Sequence, residues 1–275
     1  TKQTIADRID QKIAAINRNS FSNLAEAEWS DLSQPVSQDK LGHLHPVSML
    51  WQEIEAMFTR IGFEIASGPE IEWDAFNFEL LNMPKNHPAR DTQDTFYLQE
   101  EVLLRTQTSP VQIRYMQTNQ PPIRIIAPGK VYRRDYDLTH TPMFHQFEGL
   151  VVDQGITIAD LKGTCTYAMQ QLLGQDTKLR FRPHHFPFTE PSLEVDVSCY
   201  ICQGQGCRTC KQTGWLEMAG AGMVHPQVLR NVGYDPEEVS GFAFGFGIDR
   251  IAMMRYGVSD LRLIFENDLR FLNQF

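Results

Sequence analysis

The stretch Phe144-His-Gln-Phe-Glu-Gly-Leu-Val-Val places Gln146 and Glu148 two residues apart. On a strand both project from one face, with His145 and Phe147 on the other. An amide beside a carboxylate suits an ammonium ligand. On the extended arm before it, Arg133 and Asp135 also share a face, and an arginine suits phosphate or carboxylate. A solvated sheet face is the plainer alternative. Further along, Gly241-Phe-Ala-Phe-Gly-Phe-Gly-Ile-Asp-Arg250 alternates glycine with phenylalanine. As a strand it lines one face with glycines and leaves a trough of bare backbone for a flat ligand. Arg250 then falls at the start of the following helix, beside unsatisfied N–H groups and the positive end of the helix dipole, which makes an anion site. The alternative there is tight packing of an aromatic core. A dinucleotide fingerprint needs a third glycine and a βα context, both missing, which argues against a nicotinamide enzyme.

A different chemistry is offered by Cys199, Cys202, Cys207 and Cys210, two CxxC knuckles within twelve residues. Paired knuckles of this kind close a tetrahedral Zn²⁺ site. Gly204 and Gly206 in the short spacer ease the return. Four thiolates leave no open position on the metal, so the zinc is structural; four reduced thiols in an exposed insertion are the alternative. Cys165, in an apolar helical stretch, reads as core. Such clustering fits a reducing compartment, the cytoplasm, better than secretion. The 275-residue chain is 42% hydrophobic and 21% charged, which describes a globule, and no apolar run approaches a membrane span. A formal charge of −9 disfavours a nucleic-acid grip over the whole surface, because phosphate contacts need Lys and Arg.

The elements that must position these residues are legible in outline. A leader over residues 1–40 carries Ile5, Ile9, Ile13 and Ile16 at helical spacing and ends in a polar linker from Ser33 to Lys40. His45-Pro46 opens a helix with an apolar stripe, closed by Gly62. A strand follows, broken at Gly68-Pro69, which predicts an edge position. Short strands are predicted over 94–98 and 102–106, and a helix capped by Ser109-Pro110 runs through Met116. The two β-arms come next, then a helix over 157–173, strands at 178–183, 194–197 and 214–218, and a last long helix after Arg250. Strands in the middle and helices on the flanks give an α+β class with a mostly antiparallel sheet.

Arg133-Arg-Asp135 followed by FHQFEG, and GFAFGFGIDR leading into a helix, resemble motifs 2 and 3 of class II aminoacyl-tRNA synthetases, and the helix with the Pro69 strand resembles motif 1. HPARDTQDTFYL, TSPVQIRYM, GKVYRRD, FRPHHFPFTEPSLEVDV, GAGMVHPQVLRNVG and the ending YGVSDLRLIFENDLRFLNQF are similar to the bacterial-type phenylalanyl-tRNA synthetase α-subunit family, over Leu41 to Phe275. The resemblance implies a catalytic domain over 41–275, with 199–210 as a zinc-knuckle-like insertion and 1–40 as a remnant or truncated tRNA-binding arm. It implies activation of L-phenylalanine with ATP and Mg²⁺, transfer to tRNA(Phe), and a β-subunit partner in an (αβ)2 heterotetramer, with no membrane association. By the same resemblance Arg133 takes the α-phosphate, Arg250 the γ-phosphate end, and His140 faces the phosphates. Asp135 stands where the family usually has Glu reading the adenine amino group. Gln146 and Glu148 hold the amino-acid ammonium with help from Ser109 and Gln112. Phe186 and Phe188, two apart on one strand, meet the substrate ring edge-to-face, Ala243 forms the floor and Thr189 the wall. Glu190 is implied as a Mg²⁺ ligand shared with the β subunit. The rival expectation is a non-catalytic, zinc-bearing nucleic-acid or assembly module that keeps the synthetase fold. Retention of Arg133, Glu148 and Arg250 favours the enzyme, and the acidic charge implies weak tRNA binding by this chain alone.

Overall fold

The computed structural model describes residues 2–27, 42–136 and 140–275. The chain divides into two units, Thr1–Gly42 and His43–Phe275. In the first, Ile5, Ile9, Ile13 and Ile16 lie on one long helix, α1 (Lys2–Ala27), and are exposed. The expected linker from Ser33 to Lys40 lies outside the described residues.

The second unit runs through α2 (Pro46–Arg60), β1 (Glu64–Ile65), β2 (Ile71–Trp73), α3 (Asp74–Asn77), β3 (Tyr97–Gln99), β4 (Val102–Leu104), α4 (Ser109–Thr118), β5 (Ile123–Tyr132) and β6 (Met143–Asp153). It continues with α5 (Ile158–Leu173), β7 (Leu179–Phe186), β8 (Thr189–Ser198), β9 (Trp215–Val224), α6 (Pro226–Asn231), β10 (Ser240–Gly247), α7 (Ile248–Tyr256), α8 (Arg262–Phe265) and α9 (Leu269–Leu272). Among the described residues seven strands form one sheet in the order β1-β5-β6-β10-β9-β8-β7. Only the β1–β5 pair is parallel. The α+β, mostly antiparallel expectation is met.

Strict alternation along β6 and β10 separates the two faces of this sheet. Phe147, Phe242, Phe244 and Phe246 point to the side covered by α2, α5 and α7, where Phe58, Leu161, Cys165 and Ile251 are buried with them. The Phe58 ring lies 5.8 Å from both Phe147 and Phe244. Such close aromatic packing leaves no room on the neighbouring strand. A Cβ on Gly149 would stand 2.2 Å from the Phe244 ring, so the glycine of FHQFEG is a packing requirement. The other face carries a second apolar cluster at one end, with Ile113 and Met116 of α4 over Ile123, Ile125, Leu150 and Val152. The remainder of that face forms a cleft.

The segment broken at Gly68-Pro69 divides between two sheets. Glu64–Ile65 is the edge strand of the large sheet, and Ile71–Trp73 is an outer strand of a three-stranded sheet ordered β2-β4-β3. The break is held by Arg105, a buried guanidinium that donates to the carbonyls of Gly68 (3.1 Å), Pro69 (3.3 Å) and Lys130 (2.7 Å). The strands expected over 94–98 and 102–106 are shorter than predicted. Asp94 takes a positive φ of 41° after a 3-10 turn, so β3 starts only at Tyr97. Thr106 leaves the ladder to exchange hydrogen bonds with the buried Asn77 side chain at 2.9 and 3.1 Å.

Gly149→Ala should cost about 1–3 kcal/mol through overpacking. Gly163→Ala, on α5 where a Cβ meets nothing within 4 Å, should stabilise by up to about 1 kcal/mol through helix propensity. Urea unfolding of the two variants beside the native chain checks both signs.

Candidate active site

The cleft has a volume of about 470 Å³ and gathers twelve of the residues singled out in the sequence: Ser109, Gln112, Arg133, Asp135, His140, Gln146, Glu148, Phe186, Phe188, Thr189, Ala243 and Arg250. It has an apolar end, a buried carboxylate, and an end lined by cationic and polar side chains.

Glu148 stands at the centre and is 5% exposed. Four donors converge on its carboxylate. The Thr108 amide (3.1 Å) and the Gln146 amide group (2.8 Å) reach Oε1, while the Ser109 hydroxyl (2.6 Å) and the Gln112 amide group (3.0 Å) reach Oε2. Burial nevertheless pushes the Glu148 carboxyl up, to about 7, against the pull of Ser109, Thr108, Arg133 and Arg105. The network also orients Gln146. Its Nε2 is committed to Glu148, so its Oε1 is the remaining acceptor; that atom is buried and has no hydrogen-bond partner. A carboxylate and an unpartnered carbonyl oxygen side by side make a receptor for a cation that carries several N–H donors. Ser109 does not cap α4 as expected. It is the first helical residue, and its hydroxyl turns to Glu148 instead.

The apolar end is lined by Leu81, Ile113, Met116, Leu150, Val224 and Val228, with Ala243 on the strand beside them. Phe186 and Phe188 stack at 5.6 Å with planes 9° apart. Contrary to expectation they do not share a strand: β7 ends at Phe186, and Phe188 sits in the two-residue turn that leads to Thr189. The turn brings the rings parallel, where a strand would have separated them by two rises. Thr189 is buried, its hydroxyl 2.7 Å from that of Ser192.

The trough expected from the alternating glycines is only partly there. Gly241 lies against the Val151 carbonyl, away from the cleft. Gly245 does line it, but the space of its missing Cβ is taken by Gln146 Nε2 at 2.7 Å and Glu148 Cγ at 3.0 Å. Gly220 on the next strand likewise makes way for the Phe186 ring at 2.8 Å. These glycines admit neighbouring side chains into the cleft, and only Gly247 leaves backbone open.

At the polar end, Arg133 follows the last residue of β5. Its Nε donates to the Thr106 carbonyl at 3.0 Å, and its guanidinium lies 5.2 Å over the Phe144 ring. Burial pulls its pKa below the ordinary value, opposed by Glu148 and Asp135. Arg250, in the first turn of α7, is exposed in the cleft. Asp135 and His140 line the same end, on either side of residues 137–139, which lie outside the described residues. Phe144, His184, Glu194 and Glu217 also line the cleft and were not singled out in the sequence. Phe144 was within reach there, since it shares the period-2 face of Gln146 and Glu148. The other three depend on the pairing of β7, β8 and β9.

Two groups lie apart from the cleft. Glu190 has a side chain 72% exposed and pairs with the His225 ring at 3.2 Å. The four cysteines sit between β8 and β9, with their sulfur atoms all within 4.8 Å of one another. The Cys199–Cys207 and Cys202–Cys210 separations are 3.8 Å and Cys207–Cys210 is 3.7 Å. Zn–S bonds of about 2.3 Å in a tetrahedron require edges of about 3.8 Å. Backbone amides of Gly206 and Cys207 (3.1 Å each, to Cys202 and Cys210) and of Gly214 (3.2 Å, to Cys210) point at sulfur, as negative thiolates need. Gly214 is compelled here: its φ is +78° and a Cβ would stand 2.3 Å from the Gly204 carbonyl oxygen. Cys165 is fully buried in the core, as expected, and burial pushes its thiol up.

A sheet of this order with a cleft of these groups is the frame of one enzyme class, and comparison with known proteins agrees. Residues 29–275 match the family of tRNA synthetases class II core domain (F). Phenylalanine–tRNA ligase alpha subunits from three bacteria are close in sequence. That of Syntrophus aciditrophicus (strain SB) is 57% identical over 100% of this chain and 81% of the relative. That of Citrifermentans bemidjiense is 62% identical over 90% and 74%, and that of Caldanaerobacter subterraneus subsp. tengcongensis 54% over 100% and 81%. The chain belongs to the phenylalanine–tRNA ligase alpha subunit family of class II tRNA synthetases. Among the described residues no helix is long and apolar enough to cross a membrane.

The raised Glu148 pKa has a sign. The folded carboxyl holds a proton that the unfolded chain has already lost, so its stability contribution is full below about pH 4.5 and falls as pH rises to about 7. The ligand-free native chain should therefore lose on the order of 3 kcal/mol relative to Glu148→Gln between pH 4.5 and 8. Urea unfolding of both proteins at the two pH values measures it.

Proposed function

We propose that the cleft activates L-phenylalanine with ATP, forming phenylalanyl-adenylate and pyrophosphate, and then passes the aminoacyl group to the 3′ end of tRNA(Phe). The observation that carries this reading is the pairing of the Glu148 carboxylate with the unpartnered Gln146 Oε1, at the junction between an apolar pocket and an arginine-lined one. The amino acid is held at both ends: the ammonium on Gln146 and Glu148, with Ser109 and Gln112 fixing them, and the ring in the pocket of Phe186, Phe188, Thr189 and Ala243. Its carboxylate oxygen attacks the α-phosphorus of ATP, and the bond to pyrophosphate breaks. Arg133 balances charge at the α-phosphate and Arg250 at the γ-phosphate end, with His140 and Asp135 facing the nucleotide. Such a reaction needs positioning and charge stabilisation more than proton transfer. In the second step a ribose hydroxyl of tRNA attacks the carbonyl carbon and AMP leaves. Mg²⁺ neutralises phosphate charge when bound. Glu190 serves as a ligand shared with a β subunit, which its exposure supports.

The unit from about residue 41 onward is the catalytic domain in this reading, and residues 1–40 an N-terminal leader. The four cysteines hold one structural Zn²⁺, supported by the sulfur spacing and the amide donors. The clustered free thiols support a cytoplasmic setting. The chain works with a β subunit as an (αβ)2 heterotetramer, and the exposed Ile71 and Trp73 on the outer strand β2 support an interface there.

The test is ATP–pyrophosphate exchange by this chain assembled with its β partner. Exchange should require phenylalanine, and Glu148→Gln should lower kcat/KM for phenylalanine at least about 100-fold, the cost of leaving an ammonium without its counter-charge. Absence of phenylalanine-dependent exchange would sink the reading in favour of a non-catalytic module. Separately, acid release should free one zinc per chain, and Cys210→Ser should lower that stoichiometry while exchange continues.

A further inference from the structure

His145 lies outside the cleft and Asp249 lines it, and together they join the two elements that carry Gln146 and Arg250. Asp249 is the second residue of α7 and is 2% exposed. Both of its oxygens accept hydrogens from a single residue. Oδ2 takes the His145 backbone N–H at 2.5 Å, and Oδ1 faces the His145 ring at Nδ1, 3.0 Å away. With Oδ1 as the acceptor, as Oδ2 is, Nδ1 carries the hydrogen. The backbone bond has a topological cause. The β6–β10 ladder ends at the pair Gln146–Gly247, because the chain turns there into α7. His145 would be left with an unpaired N–H beyond the last rung, and the Asp249 carboxylate replaces the missing strand carbonyl. The ring is clamped as well, edge-on to Trp51 at 5.9 Å and parallel to Phe265 at 6.0 Å.

The neighbours of this pair in sequence are the cleft residues. Gln146 follows His145 and points to the opposite face, onto Glu148. Arg250 follows Asp249 and enters the cleft, where among the described residues its guanidinium has no hydrogen-bond or ion-pair partner. With no side-chain bond among the described residues to fix Arg250, its aim follows from where α7 begins. We propose that His145 and Asp249 are positioning residues: their paired hydrogen bonds set the start of α7 against β6, and hence the distance between the phosphate-binding Arg250 and the ammonium-binding Gln146. The proposal rests on the reading of Arg250 as a phosphate group's partner, and it extends that reading to His145, outside the cleft, and to Asp249, which lines the cleft with both oxygens turned to His145.

Two substitutions at one position separate the bond from the packing. His145→Phe keeps an aromatic ring between Trp51 and Phe265 and removes the ring N–H. His145→Asn places an amide N–H where Nδ1 stood and removes the ring. In the αβ enzyme, His145→Phe should raise the KM for ATP about tenfold and leave the KM for phenylalanine within about twofold, while His145→Asn should stay within about twofold of native for both. Asp249→Asn, which keeps the shape and loses an acceptor, should repeat the ATP-selective shift and stands in if His145→Phe does not assemble. In an Arg250→Ala background His145→Phe should add nothing further, since the pair acts through Arg250. Calorimetric ATP affinity of the same variants, measured without amino acid, should follow the KM for ATP. This arm holds even if the enzyme activates a different amino acid, so failure of the phenylalanine reading and failure of the present one are told apart. Rescue by His145→Phe but not His145→Asn, equal losses for both substrates, or additive effects with Arg250→Ala would each overturn the proposal.

Discussion

A carboxylate removed from water must be surrounded by donors, and much of the cleft follows from that requirement at Glu148. Two donors come from the first turn of α4, one from the residue before it, and one from the same strand. So α4 must lie over β6, and Gly245 must lack a side chain for Gln146 and Glu148 to lie across it. The donors do not fully offset the cost of burial, which is why the carboxyl sits near neutrality. A group left in this condition gains from the arrival of a cation more than an exposed carboxylate would. The site is ready for its ligand because it is incompletely satisfied without it.

Alternation carries this arrangement outward. On β6 and β10 one face packs Phe147, Val151, Phe242, Phe244 and Phe246 against helices, and the other brings Gln146, Glu148 and Gly245 into the cleft beside Leu150 and Ala243. A shift of register by one residue would exchange the faces and place Glu148 in the aromatic core. The rigid packing of Phe58, Phe147, Phe244 and Phe246 therefore acts on chemistry one strand-thickness away. It fixes the register that points Gln146 and Glu148 into the cleft.

Much of this was legible in the sequence because it depends on period-2 patterning and on residue type. The sharing of a face by Gln146 and Glu148, the place of Arg250 in the first turn of a helix, the edge break at Pro69 and the four-sulfur cluster all follow from short-range rules, whereas that helix, expected to be long and to follow Arg250, starts at Ile248 and ends at Tyr256. What stayed hidden depends on contacts between distant segments. The role of Gly149 and Gly220 appears only when the Phe244 and Phe186 rings are in place. Ser109 read as a helix cap because nothing local reveals a carboxylate thirty-nine residues away. Phe188 read as a strand residue because a two-residue turn that contains Pro187 looks, in sequence, like the continuation of an apolar run. The leader's linker and residues 137–139 lie outside the described residues.

Arg105 gives the edge of the sheet a mechanical connection to the polar end of the cleft. Its guanidinium bridges the Gly68-Pro69 break to Lys130, its own carbonyl receives the Tyr132 amide at 2.9 Å, and the next residue's carbonyl holds Arg133. Lys130, Tyr132 and Arg133 at one strand's exit are thus laced to the dipeptide Arg105-Thr106 and, through Arg105, to a segment far away in the chain. Traction on the outer edge would be passed through these bonds to the root of Arg133, so the aim of that guanidinium and the seating of whatever rests on that edge are geared together.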